Sequence, residues 1–406
     1  MTKRLKKQAK PVVFLGIVIG CALIVSGVLG LSGHLNNQEA IKSKKKNQVS
    51  ETKTNSSSQN KSDPKMPKMP KMTLEQKVGQ LFMTGMPANN YDQATFDAIE
   101  KYQVGSIILT GRSNLSIPEM KDITDKLQGL APANRRLLIS CDQEGGNVQV
   151  LQGAGFSEMP NGLTQGSWAP EKLQEEAKNW GSELSAAGIN FDLAPVADQV
   201  LSADFAPQNA PIGYWSRQYA YDKANIVSHA DAFSKGMKSA GVLTTAKHFP
   251  GLGAVTGNTD ISAGVRDGQT NPKSESVQIF KELISSGVPS IMTATAIYDQ
   301  IDLELPGAFS PKMVDGLLRN QLDFDGLVIT DDLSNAVQVQ AWSPGQRAVL
   351  ALAAGNDLVL ANEPTQIPEM ISEVLQKAKS DQEFAEKINQ ASSRVMKVKE
   401  QMKLVE

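Results

Sequence analysis

The sequence has few of the residues that build disulfide and metal sites, with 2 cysteines and 3 histidines among 406 residues. Cys21 falls in a long apolar run and Cys141 in the globular part, so we do not expect them to pair. Only His229 and His248 belong to the globular part, and no Cys/His spacing is typical of zinc. The Gly251-Leu252-Gly253 stretch lacks the context of a phosphate-binding loop. We therefore expect no metal and no cofactor.

Charged residues are absent from Pro11 to Gly33, a run of 23 residues that is long enough to cross a bilayer. The basic head before it favours the cytoplasmic side and places the remainder outside the cell. Within the run, Val18-Ile19-Gly20-Cys21 resembles a lipoprotein processing site, but the apolar residues continue beyond it. Residues 1–33 are thus predicted to be a single-pass anchor in the cell membrane, with a lipid anchor as the alternative.

Aliphatic residues are scarce in residues 34–71, which are rich in Lys, Asn, Ser and Gln and are predicted to be a disordered linker. Residues 1–71 contain 14 Lys and Arg but 3 Asp and Glu, whereas the whole chain has a net charge of −2, so residues 72–406 carry −13. An acidic globular domain on a basic stalk argues against a nucleic-acid partner.

Residues 72–406 alternate between short apolar runs and helix-like segments, as in a parallel α/β domain. The predicted strands are Gly79–Gly85, Ser106–Thr110, Leu137–Asp142, Asn190–Val196, Leu243–Phe249, Pro289–Ala296, Gly326–Thr330 and Asp357–Ala361. The predicted helices include Glu171–Ala187, Asp222–Ala240, Ser274–Ser286, Pro311–Asn320, Gln346–Ala354 and most of Ile367–Val405. Eight strands with helical crossovers predict one (β/α)8 TIM-like barrel, and an open doubly wound sheet is the second choice.

Polar groups follow the carboxyl ends of these strands, where barrel enzymes place their active sites. A lone Asp at such a position is better explained as a helix cap or an ion-pair partner. Convergence of several polar groups on one rim favours an active site instead. The strand ends are Asp142-Gln143-Glu144-Gly145-Gly146, Pro195-Val196-Ala197-Asp198, Lys247-His248, Thr293-Ala294-Thr295, Asp331-Asp332 and Asn362-Glu363.

Four blocks in this order resemble glycoside hydrolase family 3, in its single-domain β-N-acetylhexosaminidase branch. The resemblance covers nearly all of residues 73–400, and it implies the barrel fold and a glycosidase activity. The blocks are Asp142-Gln143-Glu144-Gly145-Gly146, Asn190-Phe191-Asp192-Leu193-Ala194-Pro195-Val196-Ala197-Asp198, Lys247-His248-Phe249-Pro250-Gly251 and Phe324-Asp325-Gly326-Leu327-Val328-Ile329-Thr330-Asp331-Asp332-Leu333-Ser334.

The resemblance also implies roles for individual residues. Asp331 matches the nucleophile, a carboxylate that attacks the anomeric carbon and forms a glycosyl-enzyme in retaining hydrolysis. Asp142, Lys247 and His248 match positions that hold sugar hydroxyls, and charged groups bind vicinal hydroxyls through strong hydrogen bonds. Trp215 stands where the family has a substrate-binding arginine, but Arg217 lies close by, and we expect Arg217 to contact substrate.

The acid/base loop departs from the family, which has an Asp and, two residues on, a His. Here Asn258 and Asp260 occupy those positions, and the loop has no histidine. Asn147, Val150 and Thr295 stand where the family has two arginines and a histidine. Asp260 can replace the acid/base only if burial or a neighbouring carboxylate raises its pKa. The glycine-rich sequence of the loop gives no sign of either.

Two functions therefore stay open. The first is a retaining glycosidase acting on terminal β-N-acetylhexosaminides, with Asp331 as nucleophile and Asp260 as acid/base. The second is a catalytically degenerate barrel that binds cell-wall glycan or a protein partner, suggested by the joint loss of several substrate-binding positions. The intact Asp331 motif favours the enzyme. The outward topology indicates peptidoglycan or its fragments as the carbohydrate ligand.

Overall fold

The computed structural model describes residues 71–405. The predicted anchor, residues 1–33, and nearly all of the predicted linker lie outside this range. Among the described residues, no helix is both long enough and apolar enough to cross a bilayer.

Each of the eight apolar runs contains a strand, and all pairings between these strands are parallel. Thr245 interrupts the fifth strand, which has two segments. The strands are Phe82–Pro87 (β1), Ser106–Thr110 (β2), Leu138–Cys141 (β3), Phe191–Asp192 (β4), Leu243–Thr244 with Ala246–Phe249 (β5), Ser290–Thr293 (β6), Leu327–Thr330 (β7) and Val359–Ala361 (β8).

Strand pairing closes these strands into a ring. One sheet has the order β8-β1-β2-β3-β4-β5, and a second joins the end of β5 to β6 and then β7. A parallel bridge between Ile329 and Leu358 connects β7 with β8 and completes the circle. The predicted TIM-barrel-like α/β fold is therefore confirmed, and the open doubly wound sheet is not the fold observed.

Helices connect successive strands and cover the outside of the ring. Capping boxes begin three of them, because a Ser or Thr side chain and a Gln or Glu three residues on satisfy each other's backbone N–H groups. The helices are Leu74–Gly79 (α1), Gln93–Glu100 (α2), Ile117–Leu130 (α3), Pro170–Ala186 (α4), Lys223–Ser239 (α5), Glu275–Ser285 (α6), Lys312–Gln321 (α7), Pro344–Ala354 (α8), Ile367–Ser380 (α9) and Gln382–Gln401 (α10).

Several strand boundaries differ from the predictions, and two of the differences have clear local reasons. The first strand was expected at Gly79–Gly85 but begins at Phe82, because the capping box of Thr73 makes the preceding residues helical. The fourth was expected at Asn190–Val196, yet continuous pairing ends at Asp192. Pro195 has no N–H to donate to the ladder, so only an isolated bridge at Val196 continues it.

A buried lysine lies in the packing of α10 against the barrel. The Lys399 side chain is 0% exposed, and its Nζ donates to Gln80 Oε1 at 2.6 Å. Burial lowers the pKa of Lys399 from 10.5 to about 7, and the Arg135 guanidinium adds to this effect. Folding therefore opposes the charged form of this amine.

This lysine predicts a pH-dependent response to substitution. Because the folded pKa lies below the unfolded one, wild type has the full charge-burial penalty below pH 7 and loses it as pH rises toward 10.5. Lys399→Met should thus be more stable than wild type at pH 6 and should keep less than half of that advantage at pH 9. Denaturant unfolding of both proteins at the two pH values tests this. A difference that does not change with pH would contradict the charge burial.

Candidate active site

A cavity of about 380 Å³ opens at the carboxyl ends of the barrel strands. All six residues that the sequence nominated line it, although they come from four different loops and strand ends. These residues are Asp142, Arg217, Lys247, His248, Asp260 and Asp331. Tertiary structure thus brings the nominated side chains together, while their individual roles stay predictions.

A buried charge network forms one wall of the cavity. Lys247, 2% exposed, places its Nζ 2.5 Å from Asp142 Oδ1 and 2.7 Å from Glu144 Oε1. Arg217 binds the same Glu144 through two nearly parallel hydrogen bonds of 2.8 and 2.7 Å. Two cations thus share Glu144, while Asp142, about a third exposed, offers its carboxylate to the cavity.

Opposing effects act on the Glu144 carboxyl group. Burial alone would raise its pKa, but the charges of Arg217 and Lys247 outweigh burial and lower the pKa to about 2. Glu144 is therefore ionised at every pH of biological interest. It is a fixed anion that orients two cations, so it is not a proton donor.

The turn after Glu144 requires glycine. Gly145 and Gly146 have φ values of +100° and +58°, and a Cβ on Gly145 would lie 2.3 Å from the Pro160 carbonyl oxygen. This left-handed turn pairs Gln143–Gly145 with Val148–Gln149 as a short hairpin. The hairpin holds Glu144 beside the cavity.

His248 is held by a carboxylate behind it. The imidazole Nδ1 lies 2.7 Å from Asp198 Oδ2, and the backbone N–H groups of His248 and Leu252 donate to Asp198 Oδ1 at 3.2 and 2.7 Å. One buried Asp in the segment that follows β4 therefore fixes both the histidine ring and the start of the loop that carries Asp260. The hydrogen bond at Nδ1 leaves Nε2 for the cavity.

The two neighbouring carboxylates after β7 have different environments. Asp332 accepts hydrogen bonds from the N–H groups of Ser334, Asn335 and Asn362 and from the Ser334 hydroxyl. Asp331 accepts one, from the N–H of Asp332 at 2.8 Å. Asp332 thus fixes the backbone of the rim, whereas Asp331 keeps oxygen lone pairs for a substrate.

Burial raises the pKa of Asp331 above its usual range, but the His248 imidazole and the Asp332 N–H oppose the shift. Both groups favour the charged carboxylate. Among the described residues, no Lys or Arg forms a salt bridge with Asp331 or Asp260. The unpaired state leaves each carboxyl group free to react.

Several contacts hold the loop that carries Asp260. The side-chain amide of Asn209 donates to the carbonyls of Leu252 and Val255 at 2.8 and 2.7 Å. At its far end, the Asp260 carbonyl accepts from Val337 N at 3.1 Å. The loop also packs closely at Gly253, where a Cβ would lie 1.7 Å from a backbone oxygen. The acid/base loop is therefore anchored along its length.

Asp260 lies at the cavity mouth with its side chain exposed to solvent. Surrounding protein atoms raise its pKa through burial, and the Asp331 carboxylate raises it further, to about 6. His248 and Arg217 oppose this shift. Water reaches the exposed side chain and weakens the effect of burial, which makes the neighbouring Asp331 carboxylate relatively more important. The loop sequence showed no sign of this neighbour, which comes from another loop.

Only some of the residues that depart from the family pattern line the cavity. Asn258 and Asp260 line the cavity, whereas Asn147, Val150, Trp215 and Thr295 are not among its lining residues. Arg217 supplies a guanidinium within the charge network instead of the residue at position 215. The changed positions therefore leave a polar cavity with both signs of charge.

Sequence reasoning overlooked two residues that organise the site, Glu144 and Asp198. Both residues follow the ends of predicted strands, and Glu144 lies two residues after Asp142. Their position was therefore the one signal that the sequence offered. Their partners, Arg217, Lys247 and His248, come from other strands, and only the fold reveals those pairings. Among the described residues, no cluster of three His, Cys, Asp or Glu side chains is placed to hold a metal ion.

The charge network predicts a loss of stability on neutralising Glu144. Glu144→Gln leaves two cations without their shared anion and should lower the free energy of unfolding by about 3 kcal/mol near pH 7. Because the folded pKa is depressed, this contribution is present above pH 4.5 and is lost as pH falls through about 2. Urea unfolding of wild type and variant at pH 7 and pH 3 measures it. An equal difference at both pH values would contradict the network's role.

Comparison with known proteins finds relatives of similar sequence and fold. The β-N-acetylhexosaminidase of Beutenbergia cavernae DSM 12333 is 48% identical, with a TM-score of 0.80, over 81% of this chain and 99% of that one. A glycoside hydrolase family 3 β-N-acetylglucosaminidase from Paenibacillus sp. str. FPU-7 is 29% identical, with a TM-score of 0.75, over 82% of this chain and 63% of that one. The β-hexosaminidase of Hydrogenovibrio crunogenus is 32% identical over 316 residues, which are 74% of this chain and 85% of that relative.

The family model for the glycosyl hydrolase family 3 N terminal domain matches residues 73–398. This range begins in the capping box of α1 and ends in α10, so it includes every strand of the barrel and every residue of the cavity. With the relatives above, it confirms the resemblance that the four sequence blocks indicated: the chain belongs to glycosyl hydrolase family 3, a family of glycosidases.

Proposed function

We propose that this protein is a retaining β-N-acetylhexosaminidase in which Asp331 is the nucleophile and Asp260 is the acid/base. The observation that carries the proposal is the pair of carboxyl groups in one cavity, neither of them in a salt bridge within the described part of the chain, with burial and the charge of Asp331 together raising the pKa of Asp260 to about 6. A glycosidase needs one ionised and one protonated carboxyl group, and coupling between neighbours supplies that difference.

The environments indicate which group ionises first. Asp331 has the His248 imidazole and a backbone N–H beside it, and both stabilise negative charge. Asp260, at the mouth, faces the charge that Asp331 then carries. We assign Asp331 as the carboxylate and Asp260 as the acid in the resting enzyme.

The reaction follows in two steps. Asp331 attacks the anomeric carbon while Asp260 transfers its proton to the glycosidic oxygen, which releases the leaving group and forms a glycosyl-enzyme. Asp260, now ionised, takes a proton from water, which attacks the same carbon and frees Asp331. Two displacements retain the anomeric configuration. Exposure of Asp260 at the mouth allows a leaving group to depart and water to enter.

We assign substrate binding to the charge network. Asp142 and Lys247 present an acceptor and donors side by side, an arrangement suited to vicinal hydroxyl groups of a sugar ring. Glu144 holds Lys247 in place and is itself bound by Arg217. The preference for an N-acetylhexosamine rests on the names of the relatives.

We extend the proposal to the protein's location and natural substrate. The uncharged run of 23 residues behind a basic head supports a single-pass membrane anchor, with the barrel outside the cell. Peptidoglycan and its fragments are the β-N-acetylhexosaminides of that compartment in a cell-walled bacterium. Fractionation of cells and protease accessibility of the barrel test the location.

The nucleophile assignment predicts loss of activity in Asp331→Asn. Without a carboxylate no glycosyl-enzyme forms, so turnover of 4-nitrophenyl N-acetyl-β-glucosaminide by the full-length protein should fall at least about 10³-fold. Asp325→Asn, an exposed Asp two residues before β7, is the matched control and should keep full activity. The first product formed by wild type should be the β anomer in NMR.

An inverted product, or an Asp331→Asn variant that retains turnover, would exclude Asp331 as the nucleophile. Absence of turnover in a folded wild-type protein would favour the alternative, a barrel that binds glycan or a partner without catalysis.

The acid assignment predicts a pH profile. Asp260 must be protonated in the first step, so kcat/KM should fall as pH rises through about 6, and the fall should be steepest for poor leaving groups. In Asp260→Asn, kcat/KM should fall about 10²- to 10⁴-fold for an alkyl glycoside. It should fall far less for a nitrophenyl glycoside, whose leaving group needs little protonation.

Azide serves as a further readout for Asp260→Asn. This anion needs no general base, so it should speed turnover of the nitrophenyl substrate in the variant and yield a β-glycosyl azide. Equal loss across leaving groups, together with no effect of azide, would show that Asp260 is not the acid/base.

A further inference from the structure

The exposed position of Asp260 determines where the leaving group must lie. An acid/base stays within hydrogen-bond reach of the glycosidic oxygen. Asp331 lines the cavity as a half-buried group, and Asp260 is exposed at the mouth. The sugar that reacts therefore occupies the cavity, and whatever is attached to it extends outward over the surface beside Asp260.

That surface carries an aromatic pair that the fold does not bury. Tyr214 is 61% exposed and Trp215 is 44% exposed, with ring centroids 4.9 Å apart and an interplanar angle of 82°. They lie on the short helical turn Gly213–Trp215, between Pro211 and Arg217, which both line the cavity. Large exposed aromatic side chains beside a cavity are typical of binding surfaces.

Asn209 fixes this aromatic turn relative to the acid/base loop. Its Oδ1 accepts from Gly213 N at 2.7 Å, and its carbonyl accepts from Tyr214 N at 3.0 Å. Its amide group donates to the carbonyls of Leu252 and Val255, which precede Asp260. A single fully buried side chain therefore positions the aromatic pair and the proton donor together.

The Asp260 side of the mouth is also apolar. Ile261 is 76% exposed and Val337 is 40% exposed, and Val337 N donates to the Asp260 carbonyl at 3.1 Å. Neither side chain contributes to the core. The rim beside the acid/base thus presents aromatic and aliphatic surface, to which a ligand with apolar faces and polar edges is complementary.

We propose that Tyr214 and Trp215 form a subsite for a sugar residue on the leaving-group side of the cleaved bond. A pyranose ring presents a face of polarised C–H groups to the negative face of an aromatic ring, while its hydroxyls stay in water. The preferred substrates are therefore disaccharides or longer glycans, and not glycosides with a small or non-sugar leaving group. This inference rests on the proposed function.

The kinetic test compares two substrates of the full-length protein. N,N′-diacetylchitobiose places a sugar in the subsite, whereas N-acetyl-β-glucosaminyl fluoride has a leaving group of one atom. The ratio of kcat/KM for the disaccharide to that for the fluoride should fall about tenfold in Trp215→Ala, and several-fold in Tyr214→Ala, because stacking area is lost. Tyr91→Ala, an exposed aromatic residue outside the cavity lining, is the control and should leave the ratio unchanged.

An unchanged ratio in both variants, or a wild-type enzyme that hydrolyses the fluoride but not the disaccharide, would overturn the subsite. Failure of wild type to hydrolyse either substrate would instead overturn the proposed function. In that case a binding measurement tests the subsite independently of catalysis.

The binding test uses Asp331→Asn, which is not expected to consume the ligand. N,N′-diacetylchitobiose should shift the tryptophan fluorescence of this variant, and the shift should disappear in Asp331→Asn with Trp215→Ala. N-acetylglucosamine, which fills only the cavity, should leave the Trp215 signal unchanged. Absence of any disaccharide-dependent signal from Trp215 would exclude stacking at this rim.

Discussion

The active site depends on burial of the Lys247 ammonium group at the mouth of the barrel. A cation that is 2% exposed is stable only with anions beside it, and Asp142 and Glu144 supply them. Glu144 in turn binds Arg217 from the loop after β4. One electrostatic requirement therefore fixes three segments relative to one another, and it creates the polar surface on which a sugar can be held.

A related requirement sorts the carboxylates of the cavity into two groups. Buried backbone N–H groups need acceptors, and Asp198 and Asp332 meet that need at the ends of two different strands. Their oxygens are occupied, so they shape loops and do not react. Within the part of the chain that the structure describes, Asp331 and Asp260 have few hydrogen bonds and no salt bridge, and for this reason we propose them as the reacting pair.

The absence of a histidine from the acid/base loop changes how the proton donor is tuned. A histidine titrates near neutrality without help, whereas an Asp needs its pKa raised. In this fold burial and the charge of Asp331 together raise the pKa of Asp260, so the proposed nucleophile and the proposed acid are coupled electrostatically. The same loop is hydrogen-bonded through Asn209 to the turn that carries Tyr214 and Trp215, so one buried side chain supports both the proposed acid and the proposed leaving-group surface.

The sequence alone predicted the barrel and its eight strands, because apolar runs are local properties of the chain, and its resemblance to a known family named six of the residues that line the cavity. It misplaced the first strand, where the Thr73 capping box overrides an apolar run. Only the tertiary structure decided that Glu144 pairs with Lys247 and Arg217, and that Asp260 lies near Asp331. Ion pairs and pKa shifts arise between groups that are distant along the chain, so no local pattern encodes them.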